Sequence, residues 1–505
     1  MTLSYKGTIS IFALLICVSS AQLIYLSLPS SSSITTLNHR QYRQDIDAFI
    51  DAIKQHSAFA AMEPERVTAI TEASHALLQS ATNSNDAARL ELQLLQLLSQ
   101  LNDPGASAQR PINGVYDTNR QLQLPIEIRF DGQYWHAFYQ DGAMLEPDFP
   151  YLTHIDGLPM IRWVEASQGY LADSIKLSTQ AQSTWIRQIA RLRLDIGLSD
   201  RDETLITLSN GEANLQYPLK LTRNQRHAAK VTPLEANALE ANSLEANSLE
   251  ASKPQGVVRL STNIDLTTIT ELSKQLAQLS TEHGSPLIID IRAIKQPQPL
   301  LMAWLFSQFS QQNKPQSIGL LQYKRFATSR ADQLPRHYIP MSKLSFFEQA
   351  ALNNQGFDTR KGPTSAFSDY LVRRYNPRVD DKSQQQTHRL SLLVDSSCEL
   401  ECEWIALASL QWPSVELIGE TTRGSLSPRY HVTLPNSGIE VQFSKAVVYA
   451  PSGQLISGIG LGPAIQLNQL DFEDNNIAEL IAAKRLDRSL APLKGTVAIV
   501  SPAKR

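Results

Sequence analysis

The chain has 505 residues, with 46 lysines and arginines against 49 aspartates and glutamates, and it has three cysteines. This length allows about two to four domains, each with a core of its own. A formal net charge of -3 argues against a basic nucleic-acid-binding protein. So few cysteines exclude a disulfide scaffold and a multi-finger zinc protein. The composition predicts a multi-domain globular protein.

The first 33 residues predict export. No charged side chain lies between Lys6 and Arg40, and residues 8–28 are mostly apolar. A basic start, a short apolar run and small residues at 19–21 are typical of a cleaved signal peptide. The whole run is also long enough to span a bilayer. A cleaved signal and an uncleaved inner-membrane anchor therefore both remain open, and either predicts a periplasmic or extracellular protein.

Residues 34–115 predict a helical domain. Apolar residues recur every three or four positions from residue 46 to residue 53 and again from residue 90 to residue 101. This spacing is typical of one face of a helix. The turn-forming residues Asn102–Gly105 end the segment.

The middle of the chain changes character. Residues 116–230 predict a small mixed α/β module, with strands such as Tyr151–Ile155 and Thr204–Leu208 and a helix between Ala181 and Leu194. Residues 231–254 repeat Leu-Glu-Ala-Asn-Ala/Ser, which predicts a low-complexity linker or insertion without chemistry.

Residues 255–475 predict an α/β core, because apolar strands alternate with helices and so favour a largely parallel sheet covered on both faces. Within it, residues 354–388 are polar and predicted as irregular, and residues 476–505 are predicted as a C-terminal tail. The predicted strands are Val257–Leu260, Pro286–Arg292, Ile318–Leu321, Leu390–Val394 and Val415–Ile418.

Four segments carry a family resemblance. They are Phe149–Pro159, Leu287–Arg292, Ile418–Gly424 and residues 449–463. In this order they resemble the C-terminal-processing (tail-specific) serine peptidases over most of residues 40–470. The resemblance implies a mixed α/β fold with a helical N-terminal cap, a PDZ-like module, and a ClpP/crotonase-like sheet domain covered by helices.

The resemblance also implies where a catalytic serine would lie. In the family it belongs to a Ser-Ala-x-Glu stretch, and Cys398, Cys402 and Glu403 set the register in this sequence. The serine position is then Leu400, which cannot act as a nucleophile. The next position is Glu401, whose negative charge would oppose a developing oxyanion.

The base and the oxyanion turn depart from the family pattern too. Ser425 stands where the lysine-dependent branch has its base, and Gly105 stands where the histidine-using branch has its base. The oxyanion turn contains Gln296 and Pro297, and proline has no N–H to donate. Losses at all of these positions predict a non-catalytic relative.

Other serines and the cysteines leave alternatives open. Ser396 or Ser397, after a shift of register, or Ser425 could serve as the nucleophile instead. Cys398 and Cys402 predict a disulfide in an oxidising compartment, and the alternative is two buried free thiols. The ten histidines are scattered, and no phosphate-binding or dinucleotide-binding motif occurs, so neither a metal nor a cofactor is predicted.

The sequence leaves open whether the chain is an enzyme. It predicts an exported pseudopeptidase that binds peptides or unfolded proteins of the cell envelope, with contacts at Ile155, Asp156, Gly157 and Arg423. No nucleic acid is expected as a partner, and membrane contact is expected only through an uncleaved N-terminal segment. One alternative is an active serine-type endopeptidase with an atypical site. Another is a carrier of a small apolar ligand, since the interphotoreceptor retinoid-binding proteins share this architecture.

Overall fold

The computed structural model describes residues 36–110, 122–223, 257–260, 264–279, 287–310, 315–325, 338–375, 389–473 and 477–490. Within them the protein is mixed α/β, which confirms the predicted fold class. The predicted signal or anchor and the repeat at 231–254 lie outside the described residues. None of the helices in the described ranges combines the length and the hydropathy that a bilayer span requires.

The N-terminal part is helical, as the periodicity predicts. Its first long helix starts at a capping box in which Asn38 and Gln41 each bind the other's backbone N–H. The apolar face predicted around residues 46–53 is buried against the other helices. The elements are β1 (Thr36–Leu37), α1 (His39–His56), α2 (Ala58–Met62), α3 (Pro64–Ser80), β2 (Asn85–Asp86), α4 (Ala87–Gln100) and β3 (Ser107–Gln109).

The mixed module is built on an antiparallel sheet of order β10-β9-β7-β8. The helix predicted at 181–194 is two helices, because the chain breaks at Gln188. The strands are β4 (Leu122–Gln123), β5 (Glu127–Phe130), β6 (Trp135–Phe138), β7 (Tyr151–Ile155), β8 (Leu158–Pro159), β9 (Glu203–Ser209), β10 (Asn214–Lys220) and β11 (Thr222–Arg223). The helices are α5 (Met160–Gln168), α6 (Thr179–Arg187) and α7 (Ile189–Ile196).

The core holds a parallel sheet of order β12-β13-β17-β18-β22. Alternate residues of its strands face two separate apolar clusters, so both faces are covered. The strands are β12 (Val257–Arg259), β13 (Leu287–Asp290), β17 (Leu390–Val394), β18 (Val415–Gly419) and β22 (Ile465–Gln466). The helices are α8 (Leu266–Leu279), α9 (Pro299–Phe309), α11 (Glu401–Ser409) and α12 (Ile477–Leu490). The region predicted as a tail therefore contains α12, whose Ile477 and Ile481 pack on this sheet.

A second, antiparallel sheet in the core has the order β15-β16-β14-β21. Its strand β16 lies inside the segment predicted as irregular, so that prediction is wrong there. The elements are β14 (Gln316–Tyr323), β15 (Tyr338–Pro340), α10 (Phe346–Asn354), β16 (Leu371–Tyr375) and β21 (Ala446–Tyr449). A third sheet joins the N-terminal part to the core, because β3 pairs with β20 (Glu440–Ser444), which pairs with β19 (Arg429–Thr433).

Candidate functional site

The turn between β17 and α11 carries the most unusual backbone of the site. Leu400 has φ 54° and ψ −117°, a conformation that bulky residues rarely adopt. Its N–H donates to the carbonyl of Ser425 at 3.0 Å. A strained strand-to-helix turn of this kind presents the nucleophile in many hydrolases. Here the turn presents a leucine.

A disulfide encloses this turn. Cys398 and Cys402 are bonded, with 5.4 Å between their Cα atoms, and both are fully buried. The Cys402 N–H donates to Ile294 at 2.9 Å, and the Cys398 carbonyl accepts from the Arg423 N–H at 3.1 Å. The backbone of the turn is therefore tied to both neighbouring loops.

The carboxylate of Glu403 binds the loop that faces the turn. It accepts hydrogen bonds from Thr422 Oγ1 at 2.6 Å and from the N–H groups of Gly424 and Ser425, both at 2.5 Å. Burial raises the pKa of Glu403 to about 7, while these three donors oppose the shift. Glu403 thus acts as a clamp on the loop.

The two base positions proposed from the sequence meet beside this loop. A Cβ atom built on Gly105 would lie 2.4 Å from Ser425 Oγ and 2.8 Å from the guanidinium carbon of Arg429. Arg429 donates to the Gly105 carbonyl and, at 2.8 Å, to Ser425 Oγ. The space of a histidine side chain at residue 105 is therefore filled by an arginine, which stays protonated and cannot accept a proton.

Cations gather around Glu399, next to the turn. Its carboxylate lies 2.7 Å from Lys295 Nζ and 2.8 Å from Arg429 Nη2. Burial alone would raise the pKa of Glu399, but Arg423, Lys295 and Arg429 together hold it at about 2. Neither Glu399 nor Arg429 belongs to a local motif, so neither could be singled out from the sequence.

Glu401 plays a different part from the one predicted. Its side chain is buried and pairs with Arg373 of β16 at 3.0 Å, and the Arg373 guanidinium lies 4.4 Å from the centre of the Trp404 ring. The Glu401 charge is therefore compensated by an arginine and is not directed unpaired at the turn.

Solved structures give the comparison for this geometry. The chain is similar to mature CPAF, with a TM-score of 0.56 and 13% identity over 91% of this chain and 99% of that one. Mature CPAF complexed with lactacystin gives a TM-score of 0.56 and 12% identity over 89% and 97%. The chain has a tail-specific-peptidase fold. At these identities the likeness shows the fold alone.

A weaker likeness, to the photosystem II D1 C-terminal processing protease, has a TM-score of 0.40 and 15% identity over 88% of this chain and 96% of that one. No protein-family profile matches the chain. No curated protein matches it either.

The oxyanion turn inferred from the sequence follows β13. Gln296 and Pro297 lie exposed in this turn, and the Pro297 nitrogen carries no hydrogen. Arg292, in the same turn, bridges Asp290 at 2.8 Å and Asp395 at 2.9 Å. Although burial opposes it, these two carboxylates raise the pKa of Arg292, so the turn is held by ion pairs.

The alternative serine nucleophiles are engaged elsewhere. Ser396 is buried and accepts a hydrogen bond from Ser178 Oγ at 2.6 Å. Ser397 Oγ donates to Asp395 at 2.5 Å, and that carboxylate is already paired with an arginine. Ser425 is buried beside Arg429, and neither histidine nor lysine contacts its Oγ within the part of the chain that the structure describes.

The residues predicted to contact a peptide differ in their burial and in their partners. Ile155 is fully buried, and the peptide contact predicted there stays a prediction. The Asp156 carboxylate pairs with buried Arg193 at 2.7 Å and accepts from Thr204 Oγ1 at 2.9 Å, which gives it a structural role. Gly157 is exposed in the β7–β8 hairpin turn with φ 76°, and Arg423 lines a cavity.

Three cavities of about 350, 440 and 370 Å³ surround the ends of the parallel strands, and Ser396 or Ser397 lines each of them. Ligands of open α/β sheets bind in this crevice beyond the carboxyl ends of the strands. Among the residues described, no cluster of three or more His, Cys, Asp or Glu side chains is suited to a metal ion. The candidate site is therefore a cleft between the mixed module and the core.

Glu420 is expected to make the stability of the protein depend on pH. It lines the third cavity, and burial followed by the nearby Asp395 raises its pKa to about 7, while Arg292 opposes the shift. Because the pKa is raised in the folded state, its contribution is complete below the unfolded pKa and is lost as pH rises through 7. The free energy of unfolding should therefore decrease between pH 5 and pH 8. We expect this decrease to be smaller by about 2–3 kcal/mol in Glu420→Gln than in the wild type.

Urea unfolding at several pH values measures this fall. Glu165→Gln, at an exposed site on α5, is the control and should leave the pH profile unchanged. A Glu420→Gln profile that matches the wild type would contradict the expectation. Some pH dependence should persist in the variant, because Glu403 also has a raised pKa.

Proposed function

We propose that this protease-like chain is a pseudopeptidase that binds peptides or unfolded proteins in the cell envelope. One observation carries the proposal: the strained turn presents Leu400, and Arg429 fills the space of the base. A leucine cannot attack a carbonyl, and a guanidinium cannot take a proton from a nucleophile. The Leu400 N–H is also occupied by the Ser425 carbonyl, so it is not free to stabilise an oxyanion.

The cleft supports the binding half of the proposal. Its cavities lie side by side between the mixed module and the ends of the parallel strands, and they remain open although the reacting groups are missing. The chain has the strained turn, and the Glu403 carboxylate binds the loop whose Thr422 lines one of these cavities. A preserved cleft without a nucleophile favours a protein that holds a polypeptide without cutting it.

The test is mass spectrometry of casein incubated with the purified full-length chain. We expect no cuts from the wild type, and none from Leu400→Ala, Ser397→Ala or Ser425→Ala. Labelled casein should nevertheless bind the wild type in a fluorescence anisotropy titration. Cuts that disappear in any one of the variants would identify a working nucleophile and overturn the proposal. Absence of both cuts and binding would also overturn it.

A further inference from the structure

The cavity of about 350 Å³ has two chemically different ends. It lies between α4, α6 and the loops around the Leu400 turn. One end is cationic and is formed by Lys295 and Arg423. The apolar walls are formed by Leu95, Leu98, Tyr170, Leu171 and Trp185. A ligand that fits must combine apolar groups with negative charge.

The positive charge at this end exceeds the negative charge. Lys295, Arg423 and Arg429 lie around the carboxylate of Glu399, and Asp103, which lines the same cavity, accepts only from uncharged donors. The three cations therefore exceed these two acids by one positive charge. The neighbouring acids have other partners among the described residues. Glu401 pairs with Arg373, Asp395 pairs with Arg292, and Asp103 accepts from Ser444 and from the Gly105 N–H.

Two of the three cations face the cleft. The Lys295 side chain is 49% exposed and lines both the 350 and the 440 Å³ cavities. Arg423 donates through Nε to the Pro104 carbonyl at 2.7 Å, which fixes the plane of its guanidinium. Its two terminal nitrogens make no hydrogen bond to the described residues. These nitrogens are therefore held in place and can donate hydrogen bonds to a ligand.

We propose that Lys295 and Arg423 bind a carboxylate of an acidic peptide at this end of the cavity. The proposal rests on the peptide binding proposed above and adds the class of peptide. The carboxylate is either an Asp or Glu side chain or the end of the chain, and the apolar walls receive a neighbouring apolar side chain. A guanidinium and an ammonium around one carboxylate form charge-assisted hydrogen bonds.

The test uses four short rhodamine-labelled peptides built from leucine and alanine. Two contain glutamate and two contain glutamine, and each pair has one peptide with a free and one with an amidated carboxyl terminus. Anisotropy titrations of the full-length chain measure their affinities. We expect the glutamine peptide with an amidated end to bind most weakly. For the best binder, Lys295→Gln should weaken binding about fivefold and Lys295→Gln with Arg423→Gln more than about tenfold. Lys274→Gln, at an exposed site on α8 outside all three cavities, is the matched control and should have no effect.

Each outcome decides the proposal. If the amidated glutamate peptide binds more tightly than the amidated glutamine peptide, the site binds side-chain carboxylates. If affinity rises only when the carboxyl terminus is free, the site binds the chain terminus. Equal binding of all four peptides, or affinities unchanged by the cleft variants, would overturn the charge assignment while peptide binding stands. No binding of any peptide by the wild type would overturn this proposal and count against the proposed function as well.

Discussion

Glu403→Ala is expected to lower the free energy of unfolding by about 3–5 kcal/mol. The substitution leaves three donors, Thr422 Oγ1 and the N–H groups of Gly424 and Ser425, without an acceptor inside the protein. Each unsatisfied buried donor costs about 1–3 kcal/mol, and the relief of a buried carboxylate offsets part of the sum. Glu403→Gln should cost less, because its amide oxygen still accepts from two of the three donors.

Urea unfolding followed by tryptophan fluorescence measures this loss, since Trp404 lies beside Glu403 and donates to the Leu426 carbonyl at 3.1 Å. The control is Glu165→Ala, where the side chain is 53% exposed and the expected change stays within about 0.5 kcal/mol. If Glu403→Ala were no less stable than this control, the loop would not depend on the clamp.

Gly105→His is expected to destabilise the protein by about 2–3 kcal/mol, and removal of Arg429 should relieve part of the loss. The new Cβ atom would lie 2.4 Å from Ser425 Oγ and 2.8 Å from the Arg429 guanidinium, so the histidine and the arginine compete for one space. The double variant Gly105→His, Arg429→Ala should therefore be more stable than the sum of the single effects by about 1–2 kcal/mol.

A double-mutant cycle by urea unfolding measures this coupling. The control cycle pairs Gly105→His with Arg162→Ala, a 66% exposed arginine on α5, and should be additive. Additive effects for Gly105 and Arg429 would show that Arg429 does not occupy the space of a base.

The parallel sheet could be predicted because its strands are continuous apolar runs. Leu287–Asp290 and Leu390–Val394 are buried on both faces, so the sequence carries no alternation that would point to another arrangement. Strand β16 was missed because Arg373 and Arg374 interrupt its apolar pattern. Both arginines are bound by glutamates from other elements, Glu401 and Glu348, and no local rule predicts such pairing.

The site was only partly predictable. Cys398, Cys402 and Glu403 set a register that put Leu400 at the turn, and the backbone strain is found at that residue. Gly105 and Ser425 were named separately and lie together in the structure. Arg429, which fills the space between Gly105 and Ser425, could not be predicted because it belongs to β19, a separate element. The only signal in the sequence is the absence of a side chain at residue 105.

The pairing of β3 with β20 has a consequence for how the protein folds. Ser107 and Gln442 are hydrogen bonded at 2.8 Å although they lie 335 positions apart in the chain. Closing a loop of that length costs about 5 kcal/mol of chain entropy before any contact is gained. Gly105 and Arg429 meet across the same junction, so their contact requires this closure. We therefore expect the contact between Gly105 and Arg429 to form late in folding.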